Sequence, residues 1–388
     1  MRVLSNTAFS PQGGIGRQKD AWRKFANDAS PVHPGLSLAL IGPALEAGKS
    51  VDGNVSTRFY QVNEGIFTGA YGGLENVRQF HERFEPIVED MRRLIGEEQP
   101  DCALIGGTYW FPWVIMKAAE REGIPIIHSY QGILSQEIVH YPEPLKQLLH
   151  EIERDFFDES RAYIFPSTLA KNTVHALAGS EFPRSYVVFN GVPPEIFSLP
   201  ENRDPAREFS IGFVGRWDPI KNFKYLGNLS SATGLPVRAV MTPKDAEIAA
   251  QMTAAGVVFV PPMSQEDIVK FYQTVGVMVS PSRFETYGNV PLEAVATGTP
   301  AVITSTMGVA EVFGQLGLQR FIVDIAGFEN GEVAEKIQAI HKNGERIEES
   351  VIERIKDAFA WPKMLQKFVI ICKEYVDSFK EKVPALVG

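Results

Sequence analysis

Arg216 and Lys221 lie five residues apart in FVGRWDPIKN, just after the short apolar run Ser210–Val214. A forked guanidinium beside a flexible ammonium can clamp a group carrying two or more negative charges, such as a diphosphate. Further on, Ser280–Thr304 reads SPSRFETYGNVPLEAVATGTPAVIT. Here an apolar strand, Val277–Ser280, runs into a loop and then a helix expected from about Val290 to Thr297. Gly298 stops that helix and Pro300 follows it. Tyr287, Gly288 and Asn289 thereby fall at a helix N-terminus, where free N–H groups and the macrodipole suit a phosphate. Gly288 lets the main chain approach closely. Glu285 stands before the loop, and Glu293 in the expected first turn. Carboxylates beside a phosphate repel it, so their chemistry is to accept hydrogen bonds from hydroxyls of the kind sugars and riboses carry. Singly, each residue also has a plain reading: Glu293 as an acid favoured by the helix dipole, the other three as solvated charges.

These residues need strands to end beneath them and helices to start beside them. Short apolar runs recur through the chain, with amphipathic stretches between them: Met1–Asn6, Leu36–Ile41, Cys102–Gly106, Ile124–Ser129, Tyr163–Pro166 and Tyr186–Phe189, then Ser210–Val214, Val237–Met241, Val257–Val260, Val277–Ser280 and Ala301–Thr304. Helical periodicity marks Arg17–Asn27, Leu74–Glu97, Pro112–Glu122 and Leu169–Ala178, and Phe359–Phe379 reads as a terminal helix or pair of helices. Strand–helix alternation of this kind implies parallel sheets covered by helices on both faces. Asn190–Glu208, rich in Pro, Gly and charge, is the expected linker or hinge.

Two look-alikes are set aside. In GPALEAGKS, five residues rather than four separate Gly42 from Gly48-Lys49-Ser50, and the segment after it looks extended, so it reads as a surface loop and not a P-loop. Gly14-Ile15-Gly16 follows the first strand as in a dinucleotide fold, but Lys19 stands where the third glycine belongs. A glycine-lined loop in a first strand-to-helix turn still lets backbone approach an anion.

A length of 388 residues implies two domains, and 44 % hydrophobic with 22 % charged residues is an ordinary globular composition. The net charge of -9 disfavours nucleic acid as a partner. No apolar run is long enough for a transmembrane helix, and no signal peptide is read, which leaves a cytoplasmic protein with peripheral membrane contact open. Cys102 and Cys372, without metal spacing, argue against a disulfide framework and a zinc site.

Taken together, GR-x4-K, the E-x7-E of Glu285 and Glu293, Asn190-Gly191-Val192 with Phe197, Pro281-Ser282 before the first acid, LEAVATGTPAV, and Trp361 ahead of the last helix resemble the large retaining glycosyltransferase family 4 over nearly the whole chain. That resemblance implies a GT-B fold, two doubly wound Rossmann-like α/β domains facing a central cleft. Residues 1–200, joined by a C-terminal helix at about 361–388, would bind the acceptor, and residues 201–360 a UDP- or GDP-sugar. By the same resemblance Arg216 and Lys221 hold the donor diphosphate and Glu293 the ribose hydroxyls. Glu285 contacts the transferred sugar, and the amides of Tyr287, Gly288 and Asn289 complete the cradle. Gly14 would approach the diphosphate from the opposite domain as the cleft closes. The reaction would retain anomeric configuration by front-face attack. No Asp-x-Asp occurs, so no metal or other cofactor is expected.

The sequence departs from the family twice. Gln131 in HSYQGI stands where many relatives carry His, with His128 three residues earlier; Gln can donate a hydrogen bond but is no base. Val240–Asp245 replaces a glycine-rich turn, which leaves uridine against guanosine open. Tyr109, Trp110 and Trp113 form either an aromatic acceptor platform or core. Competing readings are a nucleotide-sugar-binding protein lacking transfer, another GT-B enzyme such as an epimerase, and, on Gly14-Ile15-Gly16, a nicotinamide oxidoreductase.

Overall fold

Parallel strands covered on both faces must be apolar throughout, so they read as continuous runs and not as alternations. In the computed structural model, which describes residues 1–7, 14–28, 33–198, 209–329 and 331–382, such runs build two sheets. The chain divides into two units, the first of Met1–Pro166, Ala170–Val188 and Met364–Gly388, the second of Ser167–Leu169 and Phe189–Lys363.

The first unit holds β1 (Arg2–Asn6), β2 (Ser37–Ala44), β3 (Gly48–Asp52), β4 (Val55–Gln61), β5 (Cys102–Gly106), β6 (Ile126–Ser129), β7 (Ala162–Phe165) and β8 (Ser185–Val187), in the order β3-β4-β2-β1-β5-β6-β7-β8. All neighbours are parallel except β3, which turns back on β4 through Gly53. The stretch read as a surface loop, Gly42–Ser50, is therefore corrected: its ends lie in β2 and in the edge strand β3. Every residue of β3 is exposed, so it lacks the apolar signature of a strand. The helix expected at Leu74 starts at Val77, where the Asn76 side chain accepts from Gln79 N–H, and buries Phe80, Phe84, Val88, Met91 and Ile95 on one stripe. Cys102 and Cys372, remote in sequence, meet as free buried thiols, and this contact together with burial pushes the Cys372 thiol up.

The second unit holds β9 (Ile211–Val214), β10 (Val237–Val240), β11 (Val257–Val260), β12 (Val277–Ser280), β13 (Ala301–Thr304) and β14 (Ile322–Val323), all parallel, in the order β11-β10-β9-β12-β13-β14. Part of the expected hinge is corrected as well. Val192 bridges Ala360, Pro194–Ser198 forms a short 3-10 turn, and Val192 and Ile196 are buried in this unit's core. A Cβ on Gly191 would stand 2.5 Å from Trp361 Cα, which is why the chain can pass there only as glycine. Residues 199–208 lie outside the described residues. The terminal segment is one helix, Trp361–Lys382, set off by extended Ala360 from the helix Glu349–Phe359. Among the described residues no helix is long and apolar enough to cross a membrane.

Candidate functional site

In the second unit the order reverses at β9, which pairs with β10 on one side and β12 on the other. Open α/β sheets bind ligands at the carboxyl ends of strands flanking such a switch. Arg216 and Lys221 leave β9, and Glu285 to Asn289 leave β12, so both clusters come to one point of one sheet. The β9 loop is shaped by Asp218, whose side chain accepts from Ile220 N–H at 3.1 Å at the start of the 3-10 turn Pro219–Lys221. Arg216 is 67 % exposed, with Asp218 Oδ2 4.0 Å from its Nη2.

Lys221 Nζ is ion-paired to Glu285 Oε1, each side chain less than one-fifth exposed. Ser282 Oγ donates to the same carboxylate oxygen at 2.9 Å. The Glu285 backbone is held on both sides, its N–H donating to Thr306 O and its carbonyl accepting from Gly308 N–H. The cation and the carboxylate therefore form one polar unit, and an incoming phosphate would share the ammonium with Glu285. A lysine ammonium has three donors, which permits this.

The helix after the loop is Asn289–Ala296 and not Val290–Thr297, which moves Glu293 out of the first turn into the second. Gly288 caps it at φ 92°, in the left-handed region that favours glycine. Pro291, in the first turn, has no N–H, so the donors that the helix itself leaves unused at this end are the Gly288, Asn289 and Val290 amides. Asn289 Oδ1 accepts from Asn190 Nδ2 at 3.1 Å; Asn190 is buried, and its own Oδ1 has no partner among the described residues. Tyr287 is buried, its hydroxyl unpartnered among the described residues and pushed far up by burial and by Glu311.

Glu293 is 1 % exposed and accepts from the Tyr272 hydroxyl at 2.8 Å, inside the core. Sequence reasoning missed Tyr272, because it reads as an ordinary apolar-face residue of the helix Gln265–Thr274 and nothing local shows its partner. Tyr272→Phe is expected to cost about 1.5–3 kcal/mol of stability, the range for a hydrogen bond to a charged group, measured as a lowered urea midpoint. An unchanged midpoint would mean the phenol does not hold Glu293.

In the first unit the carboxyl ends of β1, β5 and β6 carry a polar group. Asn6 bonds Gly106 N–H and O, and Ser129 Oγ accepts from Gln18 Nε2 at 3.4 Å and Gln131 Nε2 at 3.3 Å. His128 is buried, with Nε2 3.1 Å from Gly107 O; burial pushes its pKa down to about 3, so it stays neutral. Glu153, buried, accepts from Leu134 and Ser135 N–H and so pins the loop bearing Gln131. Tyr109 is half-buried at the start of the helix Trp110–Arg121, its hydroxyl pushed up to about 12 by burial. Trp113 is core, stacked on His81 and donating to Asp155, and does not join a platform. Gly14 opens the helix Gly14–Asp28, and residues 8–13 before it lie outside the described residues. Among the described residues no three His, Cys, Asp or Glu side chains are grouped to hold a metal.

The family model described as glycosyl transferases group 1 matches residues 242–357, and that described as glycosyltransferase family 4 matches residues 73–196. The chain is 27 % identical over 266 residues to a D-inositol 3-phosphate glycosyltransferase of Mycobacterium sp. (strain KMS), covering 62 % of this chain and 59 % of that protein. A protein of the same name from Rhodococcus erythropolis is 26 % identical, covering 65 % and 64 %. The chain thus spans about three-fifths of the length of these relatives. Among solved structures, sucrose-phosphate synthase of Thermosynechococcus elongatus superposes with a TM-score of 0.73 at 14 % identity, over 97 % of this chain and all of that one. The Escherichia coli trehalose-6-phosphate structure bound with UDP-2-fluoro glucose gives 0.61 at 13 % identity, over the full length of both. With both sheets, the clusters after β9 and β12, and family models over more than half its length, the chain belongs to glycosyltransferase family 4 and has the GT-B fold.

Proposed function

We propose that the chain is a retaining glycosyltransferase that moves a sugar from a nucleoside-diphosphate sugar to an acceptor hydroxyl. The observation that carries this reading is the Lys221–Glu285 unit, set beside the Asn289 helix N-terminus at the switch point of one sheet. The bond from the anomeric carbon to the leaving phosphate breaks while the acceptor oxygen bonds on the same face. The acceptor proton passes to the leaving phosphate oxygen, so no side-chain base is called for. Arg216 and Lys221 neutralise the diphosphate as it departs, and fixed charge of this kind is the usual main term in such catalysis. Glu285 accepts from hydroxyls of the transferred sugar and Glu293 from the ribose. The bound UDP-2-fluoro glucose of the E. coli neighbour supports a nucleotide-sugar donor.

With Arg216 and Lys221 as the counter-charge, the reading is of a metal-independent enzyme. A thermal-shift panel of UDP, GDP, ADP, CDP and NAD, with and without EDTA, tests it on wild type and Glu293→Gln. A ligand at 100 times its Kd adds about 2.7 kcal/mol, enough for a melting shift of a few degrees. One nucleoside diphosphate is expected to stabilise the wild type irrespective of EDTA, and the substitution to shrink that shift. Stabilisation by NAD alone would sink the reading. Gln131, half-buried and bonded to Ser129, favours a second reading as a nucleotide-sugar-binding protein without transfer. Donor binding with no nucleotide release across a broad acceptor panel would establish it.

A further inference from the structure

The mechanism above leaves unused a pocket in the first unit, of about 330 Å³, walled by the segment 67–72 together with Tyr109 and Trp110. Its two walls follow the carboxyl ends of β4 and β5, the side of a parallel sheet on which ligands bind. The rings are held in place before any ligand arrives. Tyr71 stacks on Phe80, and its hydroxyl accepts from Trp110 N–H at 3.0 Å. Trp110 in turn stacks on Phe84, with ring centroids 5.1 Å apart. Behind the loop, Arg83 Nη1 donates to Ala70 O at 3.0 Å and Gly72 O at 2.8 Å, which fixes the turn. Pre-fixed groups of this kind lose little entropy on binding.

We infer that this pocket seats a neutral saccharide, and that the acceptor of the transfer proposed above, on which this inference rests, is an uncharged sugar unit. Three features select that occupant. Every side chain on the walls is uncharged, so a phosphate or carboxylate entering it would lose water without gaining a cation. The part-buried rings of Phe67, Tyr71 and Tyr109 accept the C–H face of a pyranose, while the Thr68 hydroxyl, which donates to Glu64 O at 2.8 Å and keeps its lone pairs, and the exposed backbone of Gly69 and Gly72 meet its hydroxyls. The volume lies at the low end of the range of about 300–1,000 Å³ for ligand sites, which suits one or two sugar rings better than a long acyl chain. The inference sets this chain apart from relatives whose name specifies a phosphorylated inositol.

The test is saturation-transfer NMR on the full chain with maltose, methyl α-mannoside and N-acetylglucosamine as neutral probes, and glucose 6-phosphate and octanol as competitors. Each variant is also melted with and without UDP. At least one neutral saccharide is expected to bind, with affinity falling tenfold or more in Tyr109→Ala and in Phe67→Ala, while the UDP shift stays at its wild-type size. Phe67 is only half-buried, so its truncation keeps the test valid should Tyr109→Ala fail to fold. An intact UDP shift with no saccharide binding would overturn the pocket assignment alone. Glucose 6-phosphate binding tenfold tighter than every neutral sugar, or displacement of the sugars by octanol, would overturn it too. Saccharide binding that responds to both variants, with no UDP shift in the wild type, would support the pocket and remove the donor reading instead.

Discussion

Lys221→Ala is expected to lower transfer by about 10²–10³-fold, the usual loss when one preorganised donor to a developing negative charge is removed. The effect should exceed that of Arg216→Ala, because Arg216 is 67 % exposed and water screens its charge, while Lys221 is 17 % exposed. Two consequences of the substitution act in the same direction. On the proposed mechanism the leaving diphosphate would lose a cation, and Glu285, left with Ser282 as its side-chain partner among the described residues, would turn an uncompensated carboxylate toward the phosphate. Lys221→Ala combined with Glu285→Gln separates them. The double variant should recover nucleotide affinity lost to repulsion, yet gain no turnover, since the ammonium is still missing. The measurements are kcat for transfer and the Kd of the nucleoside diphosphate selected by the thermal panel. If Lys221→Ala keeps more than a tenth of wild-type turnover, the ammonium serves only to place Glu285.

The contrast between those residues and others shows what local sequence can carry. β12, Val-Met-Val-Ser, is buried along its whole length, and a continuous apolar run ending in a Pro-Ser turn announces both the strand and the loop after it. Arg216 and Glu285 were therefore legible as loop residues at strand ends, with Lys221 and Asn289 close behind them, in the 3-10 turn and at the start of the helix. That the β9 and β12 loops lie side by side was legible only through the family resemblance and not from the residues themselves, because pairing across the switch depends on strand order. Tyr272 and Glu293 are a tertiary pair in the same sense. β3 escaped notice for a different reason: with every residue exposed, Gly48–Asp52 has neither alternation nor apolarity to report. The start of the Asn289 helix was misjudged by one residue, enough to carry Glu293 from the first turn to the second. Helix ends are set by cap geometry, here a left-handed Gly288, and not by hydrophobic period.

Lys19 was legible in principle, and it carries the second large expectation: Lys19→Met should stabilise the chain at pH 7 and lose that advantage as pH rises toward 10.5. Trp22 and Ala26 mark the buried stripe of the helix Gly14–Asp28, and stepping back three residues from Trp22 lands on Lys19. Lys19 is 4 % exposed and its amine donates to Ser5 Oγ, with no carboxylate among its hydrogen-bond partners in the described residues. Burial alone pushes its pKa from 10.5 down to about 7. The folded chain therefore binds fewer protons than the unfolded chain between those two values, so stability contributed by this site rises with pH across that window and is lost as pH falls toward 7. At 1.36 kcal/mol per unit, the penalty at neutral pH is on the order of 5 kcal/mol. Methionine matches the stem and has no charge to desolvate, although Ser5 Oγ loses a donor and keeps only its bond to Leu104 O. Urea midpoints of wild type and variant at pH 7, 8.5 and 10 should converge as pH rises. Parallel curves across that range would mean that the Lys19 amine stays protonated inside the fold, and that a partner outside the described residues compensates it.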